Sequence, residues 1–167
     1  MIPDRWRDGE VAVIGLGRSG RAATAWLRQQ EVAVYASDSA DTAVIDAAAN
    51  GLASLNVSVE VGRHDVGRVS RAAAVIVSPG VPPNIEVLRA ARSAGVEILS
   101  ELDLGLQALE GIPYIAVTGT NGKTTTTALI AHLLTGSGYR VAVAGNIGTP
   151  LTAVASTESN LEWIVIE

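Results

Sequence analysis

One pattern limits what this chain can fold into more than any other. A short apolar run, Val11–Ile14, leads into Gly15-Leu16-Gly17-Arg18-Ser19-Gly20 and then into the alanine-rich stretch Ser19–Gln30. Glycines between a strand and a helix permit a tight turn and let the backbone approach a phosphate. The helix mouth behind them offers free N–H groups and a positive dipole end. The same glycines also serve simply to pack helix against strand. Asp38 lies 18 residues after Gly20, at the end of the next apolar run. A dinucleotide fold places its ribose-binding acid there, and a turn or cap residue in Ser37-Asp38-Ser39 fits equally well.

The alternation continues. Strands are expected at Val32–Ser37, Val57–Val61, Ala74–Val77 and Val96–Leu99, with a helix over Asp41–Asn50 stopping at Gly51. Another helix is expected from an Asn84 cap through Ala94, ending at Gly95. Strands apolar on both faces, separated by helices, predict an α/β fold: a Rossmann-like parallel sheet covered on both sides. Loops after the strands then share one edge, where open α/β sheets bind ligands.

Around Ser100 the pattern restarts, dividing the chain into 1–99 and 100–167. A helix over Glu101–Leu109 and a strand over Ile112–Val117 precede Thr118-Gly119-Thr120-Asn121-Gly122-Lys123-Thr124-Thr125. Backbone N–H groups of such a loop wrap a β-phosphate. Lys123 neutralises phosphate oxygens, and the Thr124 hydroxyl suits Mg²⁺. The loop departs from the usual GxxxxGK[ST] form, since Val117 stands five residues before Gly122. The following helix is expected over Lys123–Thr135, with Leu129, Ile130, Leu133 and Leu134 on one face. Strands close the chain at Tyr139–Ala144 and Trp163–Ile166. The second half reads as the first part of a P-loop-type ATPase domain, and a strand running to Glu167 with no covering helix reads as a truncated protein.

Smaller features join these loops. Ser78-Pro79-Gly80 and Gly145-Asn146-Ile147-Gly148 each follow a strand, as a turn or as ligand contacts. Glu167 suits a metal or catalytic role, or simply an exposed terminus. Arg18 is placed either at a pyrophosphate or in solvent. His64 reads as a surface loop residue, His132 is isolated on its helix, and Trp6, Trp26 and Trp163 read as packing residues.

Together these residues resemble the Mur ligases. The resemblance rests on Gly15–Gly20, Ser78-Pro79-Gly80-Val81, Ser100-Glu101-Leu102, Val117–Thr125 and Gly145–Gly148, and so spans the whole chain. The Thr118–Thr125 loop is specific to the wider family, whose ATP loop has this shortened form. The N-terminal loop with Ser78-Pro79-Gly80 points to the members that add D-glutamate to UDP-N-acetylmuramoyl-L-alanine. The resemblance implies an ATP-dependent, Mg²⁺-requiring ligase of three domains, of which this chain carries the first and the opening of the second. The substrate's alanyl carboxylate would attack the γ-phosphate of ATP, and the D-glutamate amine would attack the acyl phosphate.

By the same resemblance Arg18 and Ser19 lie at the pyrophosphate, Asp38 and Ser39 near the uracil, and Gly80 and Asn146 beside the sugar nucleotide. Gly119, Thr120, Asn121, Gly122, Lys123, Thr124 and Thr125 hold ATP, Lys123 is catalytic, and Thr124 and Glu167 serve Mg²⁺. The remaining domains are missing, so the isolated chain is expected to lack ligase activity.

Composition narrows the alternatives. A formal net charge of −5 supplies no basic footprint for nucleic acid or an anionic membrane. With no cysteine there is no disulfide framework and no thiolate metal site. The apolar run near the N-terminus is too short for a signal peptide, and nothing approaches the ~20 apolar residues of a membrane span. A cytoplasmic setting is the expectation. Two rivals stand beside the ligase reading. One is an NAD-dependent oxidoreductase built on Gly15–Gly20 and Asp38, which leaves the second loop unexplained. The other is a non-catalytic nucleotide-binding module.

Overall fold

The computed structural model describes residues 2–145 and 148–167. After a short helix α1 (Asp4–Arg7), the chain runs β1 (Glu10–Ile14), α2 (Arg18–Gln29), β2 (Ala33–Asp38), α3 (Ala43–Ala53) and β3 (Ser58–Val61). It continues through α4 (Val66–Val69), β4 (Ala74–Val77), α5 (Glu86–Ser93) and β5 (Ile98–Ser100). These five strands form one parallel sheet in the order β3-β2-β1-β4-β5. The expected parallel sheet is therefore present.

Central strands β1 and β4 are almost wholly apolar (Val11–Ile14 and Ala74–Val77) because both faces are covered. Side chains alternate across a strand, so Val11 and Val13 join Val34, Ala36 and Ile76 beneath Trp6, Trp26 and Leu27. Ala12 and Ile14 point the other way, with Tyr35 and Val75, against Val69, Leu88 and Ala91. Trp6 and Trp26 are core residues, as expected.

Three local expectations need correction. Helix α3 runs through Gly51 to Ala53, because Gly51 is not in a left-handed conformation; that role falls to Asn56 at φ 56°. Helix α5 starts at Glu86 after an extended Ile85, which packs against the second core cluster, so Asn84 is not its cap. Helices α1, α4 and α8 (Leu151–Thr157) were not anticipated. The first two are single turns, too short to show a helical period.

Beyond β5 come α6 (Glu101–Ala108), β6 (Tyr114–Ala116), α7 (Lys123–Gly136), β7 (Val141–Ala144), α8 and β8 (Trp163–Ile166). Strands β6, β8 and β7 make a second parallel sheet, with β8 in the middle. Helix α7 packs through Thr127 and Ala131 rather than through its leucines. Leu129 and Leu133 are 54% and 60% exposed, while Ile130 and Leu134 are half-buried. Apolar spacing fixed the helix but not the face it buries.

Helix α6 joins the two sheets. Leu104 enters the core of the first sheet, and Leu109 joins Leu151, Val154, Ile164 and Ile166 under the second. Gly105 permits the contact, since a Cβ there would lie 2.5 Å from the Leu151 Cβ. Among the described residues no helix is long and apolar enough to cross a membrane.

Candidate functional site

All strands of the first sheet run the same way, so the segments after β1, β2, β3, β4 and β5 crowd one edge. There they line a cleft of about 890 Å³ whose far wall includes Gly145 and Glu167, the residues that follow β7 and β8. The Gly15–Gly20 loop forms its floor. Gly15 adopts φ +96°, and its N–H donates to the Ser37 carbonyl at 2.8 Å. A Cβ on Gly20 would fall 1.8 Å from the Gly15 carbonyl oxygen, so only glycine lets α2 sit this close to β1. The glycines thus set the packing of helix against strand at the edge of the cleft. Helix α2 opens at Gly17 with no side-chain cap, which leaves its first N–H groups facing outward beside Arg18 and Ser19.

The Ser78-Pro79-Gly80 turn lies against this loop, on the same edge. Ser78 is buried and donates from Oγ to the Gly15 carbonyl at 3.0 Å, while Gly80 lines the cleft with no atom crowding it. Asp38 has a structural task. Its Oδ2 accepts from the Leu16 N–H at 2.8 Å and its Oδ1 from the Ala40 N–H at 2.9 Å. The acid therefore ties the glycine loop to the end of β2 while still facing the cleft with Ser39.

His64 is not the free surface residue expected from its charged neighbours. It is half-buried, lines the cleft, and holds Nδ1 at 2.9 Å from the Oγ of fully buried Ser37. Beneath it the Tyr35 hydroxyl donates to Glu60 at 2.6 Å and accepts from the Asp65 N–H. The Arg68 guanidinium stacks 4.4 Å from the Tyr35 ring centre and forks onto both oxygens of Glu10. Burial raises the Tyr35 hydroxyl above its ordinary range, and the Tyr35 and Arg63 hydrogen bonds hold Glu60 low.

Burial pushes His64 below its ordinary value of 6.5, against the opposing pull of Asp38 and Glu60. The fold therefore prefers the neutral ring. Its contribution is intact above about pH 6.5 and is lost as pH falls from there towards the depressed folded value. Thermal denaturation at roughly pH 7.5 and 5.5 checks this. The wild type should lose more stability between the two than His64→Gln, and equal losses would contradict it.

The second loop is built differently. Gly119 has φ +144°, and Gly122 caps α7 in the left-handed conformation at φ +76°, again without a side-chain cap. The Lys123 Nζ folds back to donate to the Gly119 carbonyl at 2.8 Å. Thr120, Asn121, Thr124 and Thr125 are exposed. None of residues 119–125 lines the cleft. Glu167 sits at the end of β8, between the segments that leave β6 and β7. Its N–H donates to the Ala144 carbonyl, and Val117 N–H donates to Ile166. The Glu167 Oε2 is buried with no partner, a position a cation would suit. Among the described residues no cluster of three or more His, Cys, Asp or Glu could hold a metal. Asn146 lies outside the described residues.

Glu101 is a residue whose place the sequence did not reveal, although it stands in the Ser100-Glu101-Leu102 motif. This carboxylate is 4% exposed, and its Oε1 accepts from both the Thr152 N–H at 2.7 Å and the Thr152 hydroxyl at 2.6 Å. It fastens α6 to the start of α8 while lining the cleft. The helix carrying it is set by a capping box between Ser100 and Asp103.

Residues 9–100 match the Mur ligase MurD-like N-terminal domain, and residues 117–167 match the Mur ligase middle domain. The chain is 41% identical over 157 residues to the UDP-N-acetylmuramoylalanine--D-glutamate ligase of Gloeobacter violaceus, covering 94% of this chain and 36% of that one. It is 38% identical to the same-named ligase of Geobacter metallireducens, again over 94% of this chain and 34% of the relative. The chain thus spans about a third of the length of the curated relatives it matches. Among solved structures, a pseudomurein peptide ligase type C from Methanothermus fervidus superposes with a TM-score of 0.53 at 27% identity, covering 95% of this chain and 32% of that one.

Proposed function

Because this chain belongs to the Mur ligase family, with a MurD-like N-terminal domain and a match to the middle domain, we propose that it supplies the nucleotide-binding parts of an ATP-dependent amide ligase. That ligase joins D-glutamate to UDP-N-acetylmuramoyl-L-alanine, through an acyl phosphate, in cytoplasmic synthesis of peptidoglycan precursors. Residues 1–99 form the sugar-nucleotide unit and residues 100–167 the portion that handles ATP. The observation that carries this reading is a pair of open helix mouths behind glycine loops, at Gly17 and at Gly122, serving two different sheets. A single dinucleotide would need only one.

In this reading Arg18, Ser19 and the α2 mouth take the pyrophosphate, and Asp38 and Ser39 shape the uracil end. Gly80 and Asn146 flank the sugar. Residues Gly119–Thr125 cradle the triphosphate, with Lys123 released from the Gly119 carbonyl to neutralise it. Thr124 and Glu167 would contribute to holding Mg²⁺, and the orphaned Glu167 Oε2 fits a cation. The metal would supply charge neutralisation at the phosphates. The chain's own residues position the two ligands and present amide N–H groups to their charges.

Calorimetric titration of UDP-N-acetylmuramoyl-L-alanine and of ATP, each into the wild type, Asp38→Ala and Lys123→Ala, tests the assignment. Asp38→Ala frees the Leu16 and Ala40 N–H groups and should weaken sugar-nucleotide binding about tenfold. Lys123→Ala should leave that affinity unchanged and lower ATP affinity by about the same factor. Equal losses of both ligands in both variants would show one shared site and end the proposal.

A further inference from the structure

The cleft has a direction. Its phosphate floor is the α2 mouth after β1, and its far wall reaches Glu101, Gly145 and Glu167 near the second sheet. A sugar nucleotide that offers its reacting end to the second unit must turn its base the other way, towards the segments after β2 and β3. There both Asp38 oxygens already accept loop N–H groups. His64, after β3, has Nδ1 held by Ser37, and no hydrogen bond uses its Nε2 among the described residues. Nε2 is not a buried atom, and the ring lines the cleft. The Tyr35 hydroxyl already accepts from the Asp65 N–H. The 2.9 Å contact between Ser37 Oγ and Nδ1 is assigned with the serine hydroxyl as donor, an assignment that puts the ring proton on Nε2. Burial keeps the ring neutral.

We propose that His64 is a base-recognition residue of this cleft, donating from Nε2–H to the 4-carbonyl oxygen of uracil. This rests on the sugar-nucleotide reading above and adds its specificity device. The charged and titratable groups around the ring are Asp38 on β2, Glu60 on β3, Arg63 and Asp65 beside it, and Tyr35 below. None of them offers the cleft a neutral donor. Uracil presents a carbonyl where cytosine carries an amino group, so a fixed donor favours the first and is mismatched with the second.

The test uses UDP and CDP with the 167-residue chain. His64→Asn keeps a group near Nδ1 for Ser37 but removes the distal donor, whereas His64→Gln places an amide N–H near the Nε2 position. The wild type should bind UDP about tenfold more tightly than CDP. His64→Asn should lose that preference through weaker UDP binding, and His64→Gln should keep most of it. A long-range ¹H–¹⁵N spectrum of the wild type gives a readout independent of any variant's folding. The chain has two histidines, and His132 is exposed on α7 as an internal reference. UDP should shift the Nε2 resonance of His64 and leave His132 in place. UDP binding with an unmoved His64 resonance, or with the UDP preference intact in His64→Asn, overturns the base-recognition role alone. Absence of UDP binding to the wild type overturns the sugar-nucleotide reading itself.

Discussion

Replacing Gly20 by alanine is expected to cost about 3 kcal/mol of stability and, on the proposed function, to remove sugar-nucleotide binding. The added methyl would meet the Gly15 carbonyl oxygen at 1.8 Å and the Ser78 Oγ at 2.8 Å. Both are fixed: the carbonyl belongs to the turn, and Ser78 is buried with its hydroxyl on that carbonyl. Helix α2 must then move away from β1, taking Ala23 and Leu27 out of the core and the N–H groups of its mouth out of register. For a chain of this length the loss corresponds to a fall in Tm of roughly 6–12 °C. Gly17→Ala is the control, because nothing lies within 4 Å of a Cβ there. It should melt close to the wild type. Thermal denaturation and UDP titration of the two variants decide the matter, and equal behaviour would show that Gly20 has no packing duty.

Glu101→Ala is the second large effect. The change strips a buried N–H and a buried hydroxyl of Thr152 of their shared acceptor. Leaving both unsatisfied costs about 2–4 kcal/mol. Glu101→Gln retains a carbonyl oxygen for the same two donors and should cost only about 1 kcal/mol. The loss should fall on the contact between α6 and α8, where Gly105 meets Leu151 and Leu109 joins the second core. Limited proteolysis should then cut the second half of Glu101→Ala before the first half, with a lower urea midpoint. If Glu101→Ala and Glu101→Gln unfold alike, the Thr152 hydrogen bonds are not what fastens the two sheets.

Both loops, and the strands feeding them, were legible because they are local. A strand buried on both faces must be apolar throughout, as Val11–Ile14 is, and a left-handed or crowded backbone must be glycine, as at Gly15 and Gly20. Those requirements are written in consecutive residues, so the strands and the order in which they alternate with the longer helices followed from the chain alone. The roles of His64 and Glu101 were not legible. His64 sits between Arg63 and Asp65, a pattern suited to solvent, and acquires its place only because β3 pairs with β2 and lays it on Ser37. Glu101 looks like an ordinary acid in a helix first turn until α8, 51 residues on, brings Thr152 to it. The leucines of α7 make the same point from the other side, since spacing marks an apolar stripe without saying whether anything covers it. Covalent neighbours settle backbone conformation, whereas burial and partnership depend on which distant segments the fold brings together.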